Sequence, residues 1–267
     1  MQGGLLSLSK EKLLMKQITR RNIQSLISNV IIRKLKVYSA ETTYKPFYTA
    51  LFEEKVIAQA SILHSFYTSF GMSLYEQLAE IIGVEEAGYK VKRQYDLQGC
   101  INDSTELLIN NFCLSHNIPN KKIEIQKIRE TITPGLAQRD DEGRVDVFIL
   151  KPDGEEVYID IASGKMNLKE FRSLRKKMLR WCALRLSQNP HANVKTCIGI
   201  PFNPYHPEEY TRWTGSGCDP QEDLLIQENL WKEFSGGEDI FEELIEIFKE
   251  VGDEVLRKKI TDFLTEN

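Results

Sequence analysis

Residues 144–165 read RVDVFILKPDGEEVYIDIASGK, and this stretch decides the fold. Apolar residues alternate with other residues on both sides of a short break, a pattern typical of two β-strands. The break, residues 151–154, contains a proline that presets φ and a glycine that accepts unusual backbone angles, so it predicts a turn. The sequence therefore predicts a β-hairpin.

Each predicted strand carries one aspartate, Asp146 in the first and Asp160 in the second. Pairing them leaves a five-residue connection, which is a permitted hairpin length, and puts both carboxylates on one face a few ångströms apart. The opposite face is then expected to be filled by Val145, Val147, Ile159 and Ile161. Two carboxylates this close repel each other unless a cation lies between them, and Mg²⁺ accepts carboxylate, water and phosphate oxygens. The spacing alone leaves two interpretations open, a metal site or the solvated face of a sheet.

Helical and strand periodicities continue on both sides of the hairpin. A long amphipathic helix is expected from an N-cap at Asn167 to about Leu186, with an apolar stripe, and residues 194–200 alternate as a third strand. Upstream, residues 73–82 and 104–115 have the spacing of helices. The apolar stripe of the long helix consists of Phe171, Leu174, Met178 and Trp181.

The order of these elements predicts an α/β fold, a mixed sheet flanked by helices with helical additions at both ends. We expect one domain over residues 1–267. Within it, residues 1–116 should be mainly helical, 117–210 should form the α/β core, and 211–267 should be helical again. The last part should contain two acidic helices, at roughly 223–234 and 239–249.

The composition is that of a globular protein, with 41% hydrophobic and 28% charged residues. No apolar run is long enough to cross a bilayer, and the N-terminus lacks the features of a secretion signal, so we expect a soluble cytoplasmic protein with no membrane partner. The five cysteines form no CxxC pair and the four histidines have no ligand spacing, which argues against a zinc site and favours reduced cysteines.

The net charge of −4 is unevenly distributed. Residues 10–36 and residues 165–185 each contain eight basic residues against one acid. Two such segments could contact a phosphate backbone, although basic helix faces are also common as solvated surface.

The segment from Val145 through Asp160 to Lys165 resembles the signature of the PD-(D/E)xK nucleases, an acid on one strand, acid-x-Lys on the next, and then a long helix. More narrowly, residues 160–167 resemble the D-I-K-x-x-K-x-N run of TdeIII-type restriction endonucleases. Similarity to that family extends over roughly residues 60–255, including 200–205, 210–213, 231–237 and 241–252.

This resemblance implies a type II restriction endonuclease of prokaryotic cytoplasm that cuts double-stranded DNA at GGNCC-like sites with Mg²⁺. It also implies a homodimer, because a near-palindromic target is matched most simply by two-fold symmetry. A DNA methyltransferase would belong to the same system without being a stable partner.

The resemblance assigns roles to three acids. Asp146 and Asp160 would be catalytic metal ligands, and Glu76, in a segment similar to a helical segment of the family, would be a third acid beside the metal. Glu80, one helical turn further, is the fallback for this third position. The alternative for both glutamates is an ordinary solvent-facing helix position.

One position departs from the family. The catalytic lysine, two residues after the second acid, falls on Ala162 here. Three interpretations remain open: an engineered, inactivated variant, which we favour, replacement of the lysine by Lys165, or a natural binder that has lost the chemistry. Loss of one such group typically lowers the rate by some hundreds-fold, about 3–4 kcal/mol.

Two groups of residues are candidates for DNA contact. On the long helix they are Lys169, Arg172, Lys176 and Arg180, which repeat at intervals of three and four opposite the apolar stripe. In the loop that follows the third strand they are Tyr205, Arg212 and Trp213. The helix row could equally be a solvated face, and the loop aromatics could belong to the core.

Three further functions remain as alternatives. The chain could be a non-catalytic DNA-binding protein on the same fold, or a nuclease of repair, recombination or transposition. It could also be a helical interaction protein with no role on DNA.

Overall fold

The structure is a computed structural model that describes residues 14–37, 45–69, 72–114, 117–212 and 216–253. The helices in these ranges are α1 (Gln17–Val37), α2 (Pro46–Thr49), α3 (Glu54–Ser69), α4 (Met72–Glu85), α5 (Asp103–Phe112), α6 (Lys121–Thr131), α7 (Leu168–Gln188), α8 (Glu228–Ser235) and α9 (Phe241–Val251). The strands are β1 (Lys90–Gly99), β2 (Gln138–Leu150), β3 (Glu156–Ile161), β4 (Val194–Ile200) and β5 (Leu224–Ile226).

The five strands form one mixed sheet in the order β1-β2-β3-β4-β5. β1 and β3 both run antiparallel to β2, whereas β3, β4 and β5 are parallel to one another. α7 connects β3 to β4, since parallel neighbours need a long crossover. The predicted α/β class, a mixed sheet flanked by helices, is confirmed.

The predicted hairpin is confirmed together with its register. Val147 pairs with Ile159 and Leu150 with Glu156, so residues 151–155 form the five-residue connection. Gly154 in this connection has φ +88°, a value that a residue without a Cβ adopts at low cost. The observed pairing ends at Val147 and Ile159, the residues next to Asp146 and Asp160.

Apolar side chains fill both faces of the sheet. One cluster joins the sheet to α1, α4, α8 and α9, and includes Val147, Ile159 and Ile161. The other cluster joins the opposite face to α5, α6 and α7, and includes Tyr158 and Ala162. The central strands are therefore fixed between two helical layers.

Val145 does not lie with Val147, as the alternation predicted, but in the α7-side cluster. Between these two residues the β1–β2 pairing is interrupted, because no cross-strand pair is formed at Asp146 and the facing β1 residue, Gln94, has φ +50°. Irregular pairing of this kind re-aims the neighbouring side chains.

Two elements differ from the sequence-based expectation. The mainly helical N-terminal part contains β1, a strand whose side chains are mostly polar and exposed, so its alternation is weak. The helix expected at 223–234 begins only at Glu228, because Leu224–Ile226 pairs with β4 as β5. Gln227, with φ +48°, separates the two.

α7 begins where the sequence predicts. The side chain of Asn167 accepts a hydrogen bond from the backbone N–H of Glu170 (3.0 Å), and the Glu170 carboxylate accepts one from the backbone N–H of Asn167 (2.7 Å). This reciprocal capping box fixes the start of the helix directly after β3 and its loop.

All five cysteines are free, in agreement with the reduced state expected. In the described part of the chain, no helix combines the length and the apolar character that crossing a bilayer requires.

Candidate active site

The two aspartates of the hairpin lie together at one end of the β2–β3 pair. Asp160 is 8% exposed and Asp146 is half-buried. The Oδ2 atom of Asp146 accepts a hydrogen bond from the backbone N–H of Ile161 (2.9 Å), and its Oδ1 atom accepts one from Nε2 of Gln94 (3.3 Å). The Asp146 carboxylate is thus oriented by β3 on one side and by β1 on the other.

The electrostatics of Asp146 reflect a crowded acidic site. Burial raises the pKa of Asp146 to about 6, and the charges of Asp160 and, more weakly, Glu76 add to this increase. The hydrogen bond from Ile161 and the charge of Lys177 lower the pKa of Asp146 by less. Four ionisable groups from β2, β3, α4 and α7 are therefore within electrostatic range of one another.

Glu76 and Glu80 have different surroundings on α4. Glu76 is buried, with 4% exposure, and its charge acts on Asp146. Glu80 is 40% exposed and forms an ion pair with Arg93 (2.5 Å). The structure therefore brings Glu76, and not the fallback Glu80, to the aspartates.

Lys177 is the site residue that the sequence analysis missed. Its ammonium forms an ion pair with Oδ2 of Asp160 and lies 5.0 Å from the ring centroid of Trp181. A signal was present: Lys177 lies three residues after Leu174 and four before Trp181, both on the predicted apolar stripe. A lysine on the core-facing side of a helix needs a partner, and here the partner is the second acid of the hairpin.

The position of the family's lysine is enclosed by apolar groups. Ala162 is 5% exposed and belongs to the cluster beneath α7, and its backbone N–H donates to the carbonyl of Gly199 (2.8 Å). Lys165 is exposed, and within the described residues its ammonium forms no ion pair.

The basic row on α7 is not uniform. Lys169 is exposed and Arg172 is half-buried, whereas Lys176 lies 3.8 Å from a carboxylate oxygen of Glu106. Arg180 forms ion pairs with Glu106, with Asp140 (2.5 Å) and with Glu142 (3.3 Å). Lys169 and Arg172, at the start of α7, are the less engaged members of this row.

The loop after β4 is fastened to the loop after β3. Arg212 donates to the carbonyl of Met166 (2.6 Å) and to the hydroxyl of Tyr205 (3.0 Å). Both loops leave the carboxyl ends of parallel strands, where open α/β sheets commonly bind ligands. Trp213 lies outside the described residues.

Two carboxylates and a neighbouring lysine are the groups available to a hard cation and a phosphate. Among the described residues, no three acidic, histidine or cysteine side chains stand close enough together to form a ready-made metal cage. Mg²⁺ commonly uses only one or two protein carboxylates and takes its other ligands from water and phosphate oxygens. The pair Asp146 and Asp160 fits that pattern.

Comparison with known proteins gives this site its context. Residues 15–252 match the family described as type II restriction endonuclease, HinfI. The chain therefore belongs to this family of enzymes that cut DNA at specific sites.

Curated relatives agree with the family at low identity. The chain is 23% identical over 269 residues to the type II restriction enzyme HgiCII of Herpetosiphon aurantiacus, covering 88% of this chain and 94% of that protein. It is 22% identical over 269 residues to HgiEI of the same organism, covering 88% and 93%. It is 24% identical over 222 residues to MjaII of Methanocaldococcus jannaschii, covering 79% of this chain and 59% of that protein.

Proposed function

We propose that the chain is a Mg²⁺-dependent endonuclease of the PD-(D/E)xK type that hydrolyses phosphodiester bonds at a short, near-palindromic site in double-stranded DNA. One observation carries this proposal: Asp146 and Asp160, one on each strand of the hairpin, are within electrostatic range of each other, and Asp160 is paired with Lys177, in a chain whose family consists of type II restriction endonucleases. The finer proposal of a GGNCC-like target rests on the resemblance to TdeIII-type enzymes.

Asp146 and Asp160 are the residues that would hold the cation, with Glu76 behind them. Burial raises the pKa of the Asp146 carboxyl most, and the charge of Asp160 raises it further; a cation between the two carboxylates would relieve that repulsion. When bound, a divalent ion makes a water molecule more acidic and neutralises charge that grows on the phosphodiester.

The protein's own contribution is to hold its charged groups in place before DNA arrives. The hydrogen bonds from Ile161 and Gln94 fix both oxygens of Asp146, and the rigid hairpin fixes Asp160 relative to it. Groups that are already oriented need no reorganisation during the reaction, which is where most electrostatic catalysis arises.

DNA would approach the site along the start of α7 and the loop after β4. Lys169 and Arg172 are proposed to contact phosphates, with Lys176 further along the same face. Arg180 is engaged with three carboxylates, so its contribution would be to hold β2 and α5 against α7. The proposed loop contacts are Tyr205, Arg212 and Trp213.

The active assembly is proposed to be a homodimer, since two copies related by two-fold symmetry place one site on each strand of a near-palindromic target. A DNA methyltransferase that protects the same target would accompany it in the prokaryotic cytoplasm without forming a stable complex.

A second candidate function follows from Ala162. If no other group does the work of the missing motif lysine, the chain would bind DNA but cut it weakly or not at all, because negative charge on the phosphodiester would lack a stabilising group. A cleavage assay distinguishes this weakened or non-catalytic DNA-binding function from an active nuclease.

The test compares the unaltered chain with Asp146→Asn and Asp160→Asn on plasmid DNA, in Mg²⁺ and in EDTA. We expect discrete fragments only from the unaltered chain in Mg²⁺, and a loss of at least about 100-fold in each variant. Asp153→Asn, in the turn of the same hairpin, is the matched control and should cut normally. If the Asp146 and Asp160 variants cut as fast as the unaltered chain, these aspartates are not the active site. If the unaltered chain binds DNA without cutting it, the non-catalytic DNA-binding function is favoured.

A further inference from the structure

The ammonium of Lys177 reaches Asp160 from the side of the sheet on which Ala162 lies. Asp160 and Ala162 are two residues apart on β3 and its extension, so their side chains leave the same face of the sheet. α7 packs on this face, and both Tyr158 and Ala162 lie in the cluster beneath it. Lys177 therefore approaches Asp160 from the helix that covers the position where a motif lysine would begin.

We propose that Lys177, on α7, supplies the catalytic ammonium that Ala162 cannot, so that the chain as it stands is an active nuclease. The inference rests on the proposed function and adds a residue to it. Lys177 would contact the attacking water and the scissile phosphate, orienting the first and stabilising negative charge on the second.

The contacts of Lys177 hold it in place without sealing it from substrate. Its ammonium is paired with Asp160 and lies over the ring of Trp181, whose own Nε1–H donates to the carbonyl of Glu142 (2.8 Å). The side chain of Lys177 nevertheless remains 24% exposed, compared with 12% for the side chain of Asp160. A lysine that served only to neutralise a buried acid would need no such opening.

None of the other basic side chains considered for this role forms an ion pair with either aspartate in the described residues. The guanidinium of Arg144 binds Gln94 (3.1 Å) and Asp96 (2.8 Å), and Arg180 binds three carboxylates farther along α7. Lys165, the substitute suggested by the sequence, is exposed. In the described ranges, the only ion pair made by either hairpin aspartate is the one between Asp160 and Lys177.

The experiment measures single-turnover cleavage of a duplex containing the mapped target, in Mg²⁺. Lys177→Met keeps most of the aliphatic stem and removes the charge, and we expect its rate constant to fall about 100- to 1,000-fold. Lys177→Arg should keep part of the rate, because it restores a positive charge. DNA affinity with Ca²⁺ in place of Mg²⁺ should change little in either variant. The thermal unfolding midpoint should fall in Lys177→Met, which leaves the buried Asp160 without its partner, and should be largely kept in Lys177→Arg, so the two effects are measured separately.

The decisive variant moves the lysine back to the signature position. In Ala162→Lys combined with Lys177→Met, we expect at least a tenfold recovery over Lys177→Met alone, whereas Ala162→Lys in the chain that keeps Lys177 should add little. A purely structural role for Lys177 predicts instead that Ala162→Lys raises the rate strongly in both backgrounds. Lys232→Met, which breaks the ion pair of an α8 lysine with Asp239 (2.9 Å), is the matched control and should cut at the unaltered rate.

Failure of this inference is distinguishable from failure of the proposed function. If the unaltered chain cuts and Lys177→Met cuts equally fast, Lys177 is not catalytic but the nuclease stands. If the unaltered chain is inactive and Ala162→Lys alone cuts, the nuclease site stands and Lys177 is again excluded. If neither cuts, both proposals are overturned. Should the double variant fail to fold, the comparison of Lys177→Arg with Lys177→Met still tests the inference. Equal cleavage rates of these two variants would show that the positive charge at position 177 does not contribute to cleavage.

Discussion

Gln94 adopts a backbone conformation that is rare for its residue type. It lies within β1 at φ +50°, where residues with a Cβ pay a steric penalty. Its side chain donates to Asp146 (3.3 Å) and accepts from Arg144 (3.1 Å), so the unusual backbone brings an amide to the Asp146 carboxylate. Strain of this kind is retained where the side chain has a task.

Substitutions at Gln94 separate strain from function. The free energy of unfolding of Gln94→Gly should be about 1 kcal/mol larger than that of Gln94→Ala, because only glycine adopts positive φ without penalty. Both variants should cut DNA more slowly than the unaltered chain, since both lose the amide that orients Asp146. Denaturant unfolding and cleavage rates measure the two effects. Equal stability of the two variants would mean that the backbone at position 94 leaves the positive-φ conformation when glutamine is replaced. Normal cutting by both variants would mean that the Gln94 amide has no role in cleavage.

At the scale of elements, Glu233 on α8 joins three parts of the fold. Its two oxygens lie 2.6 Å from the ammonium groups of Lys151, after β2, and Lys195, in β4. Burial raises the pKa of Glu233, but the two lysines outweigh burial, and the pKa of this carboxyl is lowered below its ordinary value.

This lowered pKa sets the sign of a pH effect. The unfolded chain takes up the proton first as pH falls, so the stabilisation is complete above the unfolded pKa of about 4.3 and is lost as pH falls through the folded pKa. The difference in free energy of unfolding between the unaltered chain and Glu233→Gln should therefore be largest near neutral pH and shrink below about pH 4. Glu238→Gln, an exposed position shortly after α8, is the matched control. If the difference in free energy of unfolding between the unaltered chain and Glu233→Gln did not change with pH, the two ion pairs would not stabilise the fold.

The elements that the sequence predicts well are those with strong local signals. The hairpin, its register and the capped start of α7 follow from alternation, turn residues and Asn167. β1 was missed because its apolar residues are few and Gln94 interrupts the alternation. The pairing of Lys177 with Asp160 depends on how α7 crosses the sheet, which no spacing along the chain specifies.

At the scale of the whole molecule, a protein with net charge −4 must bind a polyanion through a local basic surface. Lys169 and Arg172 are the members of the α7 row that form no ion pair among the described residues. Replacing both with alanine should weaken DNA binding at all sequences and reduce the slope of log affinity against log salt by about one per side chain. Lys249→Ala, on α9 at the opposite face of the sheet, is the control. An unchanged salt slope in the double variant would place the DNA elsewhere.

The proposed two-fold assembly makes a prediction about mass. Sedimentation equilibrium with cognate DNA and Ca²⁺ should give two chains of 30.8 kDa per duplex. One chain per duplex would mean that the two strands are cut in separate binding events.

The most direct test of the central claim uses the unaltered chain, with alanine at position 162. It is incubated with plasmid DNA and Mg²⁺, and the ends of the products are sequenced. We expect discrete fragments whose ends share one short, near-palindromic sequence, because Asp146, Asp160 and Lys177 complete a nuclease site. Intact plasmid, or fragments with unrelated ends, would contradict an active, site-specific endonuclease.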